Sequence, residues 1–175
     1  MAVFLSISPM AVAWQLALGG GLTGGVLAEP SGTTNAAGWQ FLAQWTRRPR
    51  VARRVLIDLS VGQWASVGSG GGFLERSRVV SALLFFEGRL PLTYALRPWW
   101  GLGGGLTEAR YDLRMRLNGQ GYAVGYAPSV THNDWTVAGT VSLPLDRSWS
   151  LALTAATNGP SRFSTVTLTL VWRLL

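Results

Sequence analysis

From Trp14 onward, apolar residues alternate with small or polar ones, a period of two that marks strands with two unlike faces. The first stretch sets Trp14, Leu16, Leu18, Gly20 and Leu22 against Gln15, Ala17, Gly19, Gly21 and Thr23. The second sets Trp39, Phe41, Ala43 and Trp45 against Gln40, Leu42 and Gln44; the third sets Val55, Ile57, Leu59 and Val61 against Leu56, Asp58 and Ser60. In the fourth, Val80, Ala82, Leu84 and Phe86 oppose Ser81, Leu83, Phe85 and Glu87. Four more follow over residues 100–106, 135–143, 149–155 and 166–172, so the pattern predicts eight strands.

The connections alternate in kind. Segments 47–53, 90–98 and 144–148, after the second, fourth and sixth stretches, are mostly short and turn-like, whereas those after the first, third and fifth are longer and rich in Gly and polar residues. Asn158-Gly159-Pro160 closes the last hairpin. Short turns at one end and longer loops at the other predict an all-β fold, an eight-stranded antiparallel up-and-down transmembrane β-barrel with both termini at one end.

Alternation alone does not say which face is inside, because a soluble barrel with an apolar lumen alternates too. Composition decides. Only 13% of the 175 residues are charged and 48% are apolar, where a soluble domain carries about 25% charged residues. Apart from Asp58 and Glu87, the second face is mostly Gln, Ser, Thr, Ala and Gly, too poor in charge to solvate a surface. Such side chains are small enough to fill the narrow lumen of an eight-stranded barrel. The apolar face is therefore expected to meet lipid. Each stretch runs about 9 to 11 residues with its fringes, as a tilted membrane-crossing strand does, and no apolar run approaches the ~18 residues of a membrane helix. With no Cys, disulfides and thiolate metal sites are excluded, and neither a metal nor a cofactor is expected.

Tryptophan placement agrees with this orientation. Trp14, Trp45, Trp100, Trp149 and Trp172 fall at the short-turn end, while Trp39, Trp135 and Phe163 fall at the loop end, which predicts two interfacial aromatic girdles. Ahead of them, residues 3–10 form a short apolar run and Ala11-Val12-Ala13 matches the small-x-small pattern of signal cleavage, although a basic leader is missing. Residues 1–13 read as a signal-peptide remnant and 14–175 as the barrel.

Over residues 14–174 the chain resembles the OmpA/OmpX-type family of small bacterial outer-membrane barrels. The segment Arg97-Pro98-Trp99-Trp100-Gly101-Leu102-Gly103-Gly104-Gly105 is similar to the turn-plus-glycine-strand piece common in these proteins. The final stretch, with Val166, Leu168, Leu170, Trp172 and Leu174, looks like their C-terminal insertion signal, but ends in Leu175 instead of an aromatic residue. The resemblance implies a Gram-negative outer-membrane location, turns in the periplasm and loops outside the cell. It carries little information about activity.

Four charged residues share the lumen-facing parity of adjacent strands: Arg54 and Asp58 on the third, Glu87 and Arg89 on the fourth. Opposite charges there are expected to pair across the ladder and plug the lumen, since an unpaired buried charge is costly. Eight strands leave no open pore.

All fifteen basic residues are Arg, set against eight acids for a net charge of +7. They split between the ends. Arg47, Arg48, Arg50 and Arg53 crowd the first short turn; Arg76, Arg78, Arg110, Arg114, Arg116 and Arg162 lie toward the outer loops. Nucleic-acid binding needs one continuous basic face, whereas two belts suit the phosphates of two membrane surfaces, phospholipid below and lipopolysaccharide above. Segment 112–133, with Asn118-Gly119-Gln120-Gly121 between apolar flanks, is expected to project as a hairpin, a contact site for a protein partner; the basic periplasmic turn is another.

Hydrolytic chemistry has one candidate, since the single His is His132, near Ser129 and Asp134. Outer-membrane lipid A deacylases carry a His-x-Ser-Asn pattern, and Asn133-Asp134 after His132 does not meet it. The expectation is a non-enzymatic, monomeric outer-membrane barrel that supports envelope integrity and presents its loops to lipid or protein. A lipid A-modifying hydrolase and a subunit of a larger envelope complex are the alternatives.

Overall fold

The computed structural model describes residues 14–29, 32–50, 52–67, 73–90, 97–118, 120, 122–127, 129–159 and 163–174; the proposed leader, 1–13, lies outside them. Its strands are β1 (Gln15–Glu29), β2 (Gly32–Arg50), β3 (Arg53–Val67), β4 (Phe73–Arg89), β5 (Trp99–Leu117), β6 (Ala123–Ala127), β7 (Val130–Pro144), β8 (Trp149–Asn158) and β9 (Phe163–Arg173). All neighbours are antiparallel. The order β4-β3-β2-β1-β9-β8-β7-β5 closes on itself through β4 and β5, so eight strands form the wall. The ninth, β6, pairs with β5 above the point where β7 leaves it.

Stepping across register partners from Arg76 on β4 once round the wall returns to β4 at Phe86, ten residues along. That stagger over eight strands sets a tilt near ~40° and a bore that side chains alone can fill. The pleat then sorts the residues as the alternation predicts. Leu22, Leu102 and Leu106 are 74%, 64% and 68% exposed on the outside, while Ala17, Thr23, Thr107, Thr167 and Thr169 are buried inside.

The strands are longer than the alternating stretches. The Gly- and polar-rich segment after the first stretch is not a long loop, because β1 and β2 stay paired as far as Glu29 and Gly32. Likewise β5 continues to Leu117, and the expected hairpin follows it. Asn118 Oδ1 accepts hydrogen bonds from the backbone N–H of Gln120 (3.0 Å) and Tyr122 (2.9 Å), an Asx turn that reverses the chain. At the other end, the basic segment 47–53 is mostly strand, with a register shift between Arg47 and Arg50 and the turn confined to the residues between Arg50 and Arg53. Polar residues beyond the bilayer still complete a ladder, so the period-two signal fades before the strand does.

Inward glycines let adjacent strands carry large side chains. A Cβ on Gly105 would strike the Ala82 carbonyl oxygen, and one on Gly103 would sit 2.6 Å from the ring of Phe85, which is fully buried. The glycine run on β5 is thus room for β4.

Candidate functional site

The lumen is filled in layers, each assembled from inward residues of several strands. At the short-turn end, Arg54 on β3 and Glu87 on β4 are register partners, so their side chains meet on the same face. Arg54 Nε donates to Glu87 Oε2, and its Nη2 donates to Ser142 Oγ on β7 at 2.9 Å. Trp99, 1% exposed, takes the Arg54 and Arg89 guanidinium groups over its ring at 4.5 and 5.1 Å from the centroid. Gly101 keeps the space Glu87 needs, since a Cβ there would press on that side chain.

Above this charged layer come apolar residues: Ala17, Leu42, Ala152 and Val171 in one cluster, Leu56, Leu83, Phe85 and Ala138 in another. Asp58 is buried here, opposite Gln44 on one side and Leu83 on the other. Gln44 Nε2 donates to its Oδ2 at 2.8 Å. Higher still is a belt of hydroxyls. Ser81 and Thr107 are joined at 3.0 Å, Thr107 and Thr136 at 2.7 Å, and Thr136 Oγ1 donates to Asn158 Oδ1 at 3.0 Å. Ala36, Trp64, Val79 and Ala109 cap the stack at the outer end.

Of the four charged residues picked out in the sequence, the structure brings Arg54, Glu87 and Arg89 together around Trp99 and leaves Asp58 apart. Asp58 sits four residues along β3 from Arg54, and among the described residues its hydrogen-bond partner is an amide rather than a guanidinium. Two functional positions went unassigned in the sequence, and parity was the signal that could have found them. Trp99 precedes the outward Trp100 and must turn in; Trp64 continues the inward series Leu56, Asp58, Ser60, Gly62.

On the outside, Trp14, Trp39, Trp100, Trp135, Trp149 and Trp172 are exposed and Trp45 is half-buried. Trp149 and Trp172 are register partners whose rings stack 6.2 Å apart. On β2, Trp39 and Trp45 are separated by about 20 Å of strand. Beyond the upper tryptophans, β4 and β5 continue as a projecting pair bearing exposed Arg76, Arg78, Arg110 and Glu108, with Arg78 opposite Arg110. Arg47 and Arg53 are exposed at the opposite end. Arg162, and the side chains of Arg48, Arg50, Arg114 and Arg116, lie outside the described residues. His132 is not in a loop but on β7, half-buried and opposite Ala109; Asp134 faces the Asn158–Gly159 turn, and Ser129 is exposed just before the strand.

No protein-family model matches the chain, and no curated protein matches it. Solved structures do. Two structures of Ail, the attachment invasion locus protein of Yersinia pestis, align with TM-scores of 0.56 and 0.55 at 12% and 10% identity. They cover 91% and 92% of this chain and 98% and 99% of theirs, and the second is in complex with the heparin analogue sucrose octasulfate. Neisserial surface protein A aligns at 0.49, with 14% identity over 91% of this chain and 96% of its own. At such identities the likeness is one of fold, and the fold is the eight-stranded barrel of small outer-membrane proteins.

Proposed function

We propose that this outer-membrane barrel is a monomeric structural and surface-binding protein, its lumen plugged and its contacts made by the arginine-bearing strands that project above the bilayer. The observation that carries the reading is the pairing of a packed lumen with a basic outer rim. The plugged lumen is supported by the Arg54–Glu87–Trp99 layer at one end and the buried Trp64 cluster at the other. Arg76, Arg78 and Arg110 instead offer guanidinium groups just above the upper tryptophans, at the height of lipopolysaccharide phosphates. The Yersinia protein of like fold, solved with a sulfated sugar, makes anionic sugars the first ligand class to test.

The test is binding of the folded protein to vesicles containing lipopolysaccharide, compared with vesicles of neutral phospholipid. Replacing Arg76, Arg78 and Arg110 together by Glu is expected to lower binding at least tenfold and to flatten its salt dependence. Unchanged binding refutes the reading. Planar bilayers carrying the protein are expected to show no steady conductance. His132→Ala is expected to leave the lipid A pattern of producing cells as it was, because no catalytic step is assigned to the barrel.

A further inference from the structure

The geometry points to a buried site for a monovalent metal cation of the sodium class in the lumen, between Asp58 and the hydroxyl belt. A cavity of about 40 Å³ lies there, lined among others by Gln40, Asp58, Ser60, Ser81, Thr107 and Thr165. It exceeds the roughly 10–15 Å³ that one water needs. Its polar lining is mostly oxygen: a carboxylate, hydroxyls and side-chain amides. Hard cations take such donors, while nitrogen and sulfur donors suit transition metals.

Charge fixes the valence. Asp58 is 8% exposed and is held by Gln44, a neutral donor. The nearest basic residue along its own strand, Arg54, is engaged by Glu87 and Ser142. A carboxylate buried this way lacks the counter-charge that buried acids ordinarily have. One negative charge among neutral oxygens matches a single positive charge. Among the described residues no cluster of three acidic, His or Cys side chains exists for a divalent ion.

A second observation is independent of Asp58. Asn158 also lines the cavity, is 2% exposed, and its Nδ2 is buried without a hydrogen-bond partner. A buried amide donor calls for an acceptor, and a water in the cavity supplies one while turning its own lone pair to the ion. The serine and threonine hydroxyls donate along the Ser81–Thr107–Thr136–Asn158 chain, leaving oxygen lone pairs for the cation. The apolar side chains of Leu83, Phe85, Trp64 and Val79 share the lining.

The experiment uses the refolded full chain in detergent at constant ionic strength, with sodium chloride replaced stepwise by tetramethylammonium chloride, a cation too large for the cavity. The unfolding midpoint is expected to rise by a few degrees per tenfold increase in sodium, as for any ligand bound only by the folded state. Asp58→Asn is expected to abolish the rise. An equal rise in tetramethylammonium, or a full sodium response in Asp58→Asn, overturns the site. Should that variant not fold, the unaltered protein decides: a midpoint that rises with sodium but not with tetramethylammonium supports the site, and a midpoint indifferent to sodium refutes it.

Discussion

Glu87 and Asp58 are both buried acids in one lumen, yet Glu87 is register-paired with Arg54 beside an aromatic ring, whereas Asp58 has an amide and a cavity. The first arrangement holds its own counter-charge: Glu87 Oε2 takes the Arg54 guanidinium, which also reaches Ser142 and lies over Trp99, at the short-turn end. The second is incomplete, and the hydroxyl belt above it supplies many acceptors with no positive charge. The contrast teaches that the plug and the cavity are different devices. One fills the lumen with paired fixed charge, and the other leaves room for a small guest.

The sharpest way to break the contrast is to make Glu87 resemble Asp58. Arg54→Met removes the guanidinium that is hydrogen-bonded to Glu87 and breaks the buried pair, which is expected to cost about 3–5 kcal/mol. The readout is urea unfolding in lipid vesicles. Adding Glu87→Leu should return the protein to within about 1 kcal/mol of its starting stability, because removing both charges relieves both desolvation penalties. A single variant that unfolds like the parent would mean the pair does not hold the plug.

Next in size is the hydroxyl belt. Thr136→Val deletes the middle of the chain that joins Thr107 to Asn158 Oδ1. Losing those bonds inside a bilayer-spanning wall is expected to cost about 1–2 kcal/mol. Trp99→Leu, which strips away the ring that both guanidinium groups lie over, is expected to cost a further, similar amount of about 1–2 kcal/mol. Its effect should vanish in the Arg54→Met background if the cation contact with Arg54 is its main source, a double-mutant cycle that places Trp99 in the plug.

How much of this was open to reading in the sequence follows from how far each feature depends on one strand. Lipid-facing residues such as Leu102 and Leu168 are set by local alternation and the shortage of charge, so strand number, closure and orientation could be read directly. Arg54 and Glu87 could be read as partners because they share parity on neighbouring strands. Asp58 reads as a member of the same group and is buried in the lumen, but its hydrogen bond comes from Gln44 and not from an arginine, since alternation gives the face of a residue but not its height in a tilted barrel. The register stagger separates Asp58 from Arg89, and register needs the paired strands. Strand ends were short for a related reason: above the bilayer neither face is apolar, so Gly24 to Ala37 gives no period to read. The cavity needs eight strands to define it, so no single segment announces it.

The smallest effect is also the most discriminating. Asp58→Asn keeps size and shape and can retain a hydrogen bond to Gln44, so in sodium-containing buffer its cost is expected to stay under about 1 kcal/mol. In tetramethylammonium buffer the sign should reverse. There the unaltered protein carries a buried carboxylate with no counter-ion, and replacing it by a neutral amide removes that penalty. The variant should then unfold later than the parent, by about 1 kcal/mol, since burial of an unpaired charge outweighs one hydrogen bond. Glu87→Gln offers the control: its partner Arg54 is part of the protein, so its cost should be the same in both salts. Identical salt behaviour of the two variants would erase the distinction between the two buried acids.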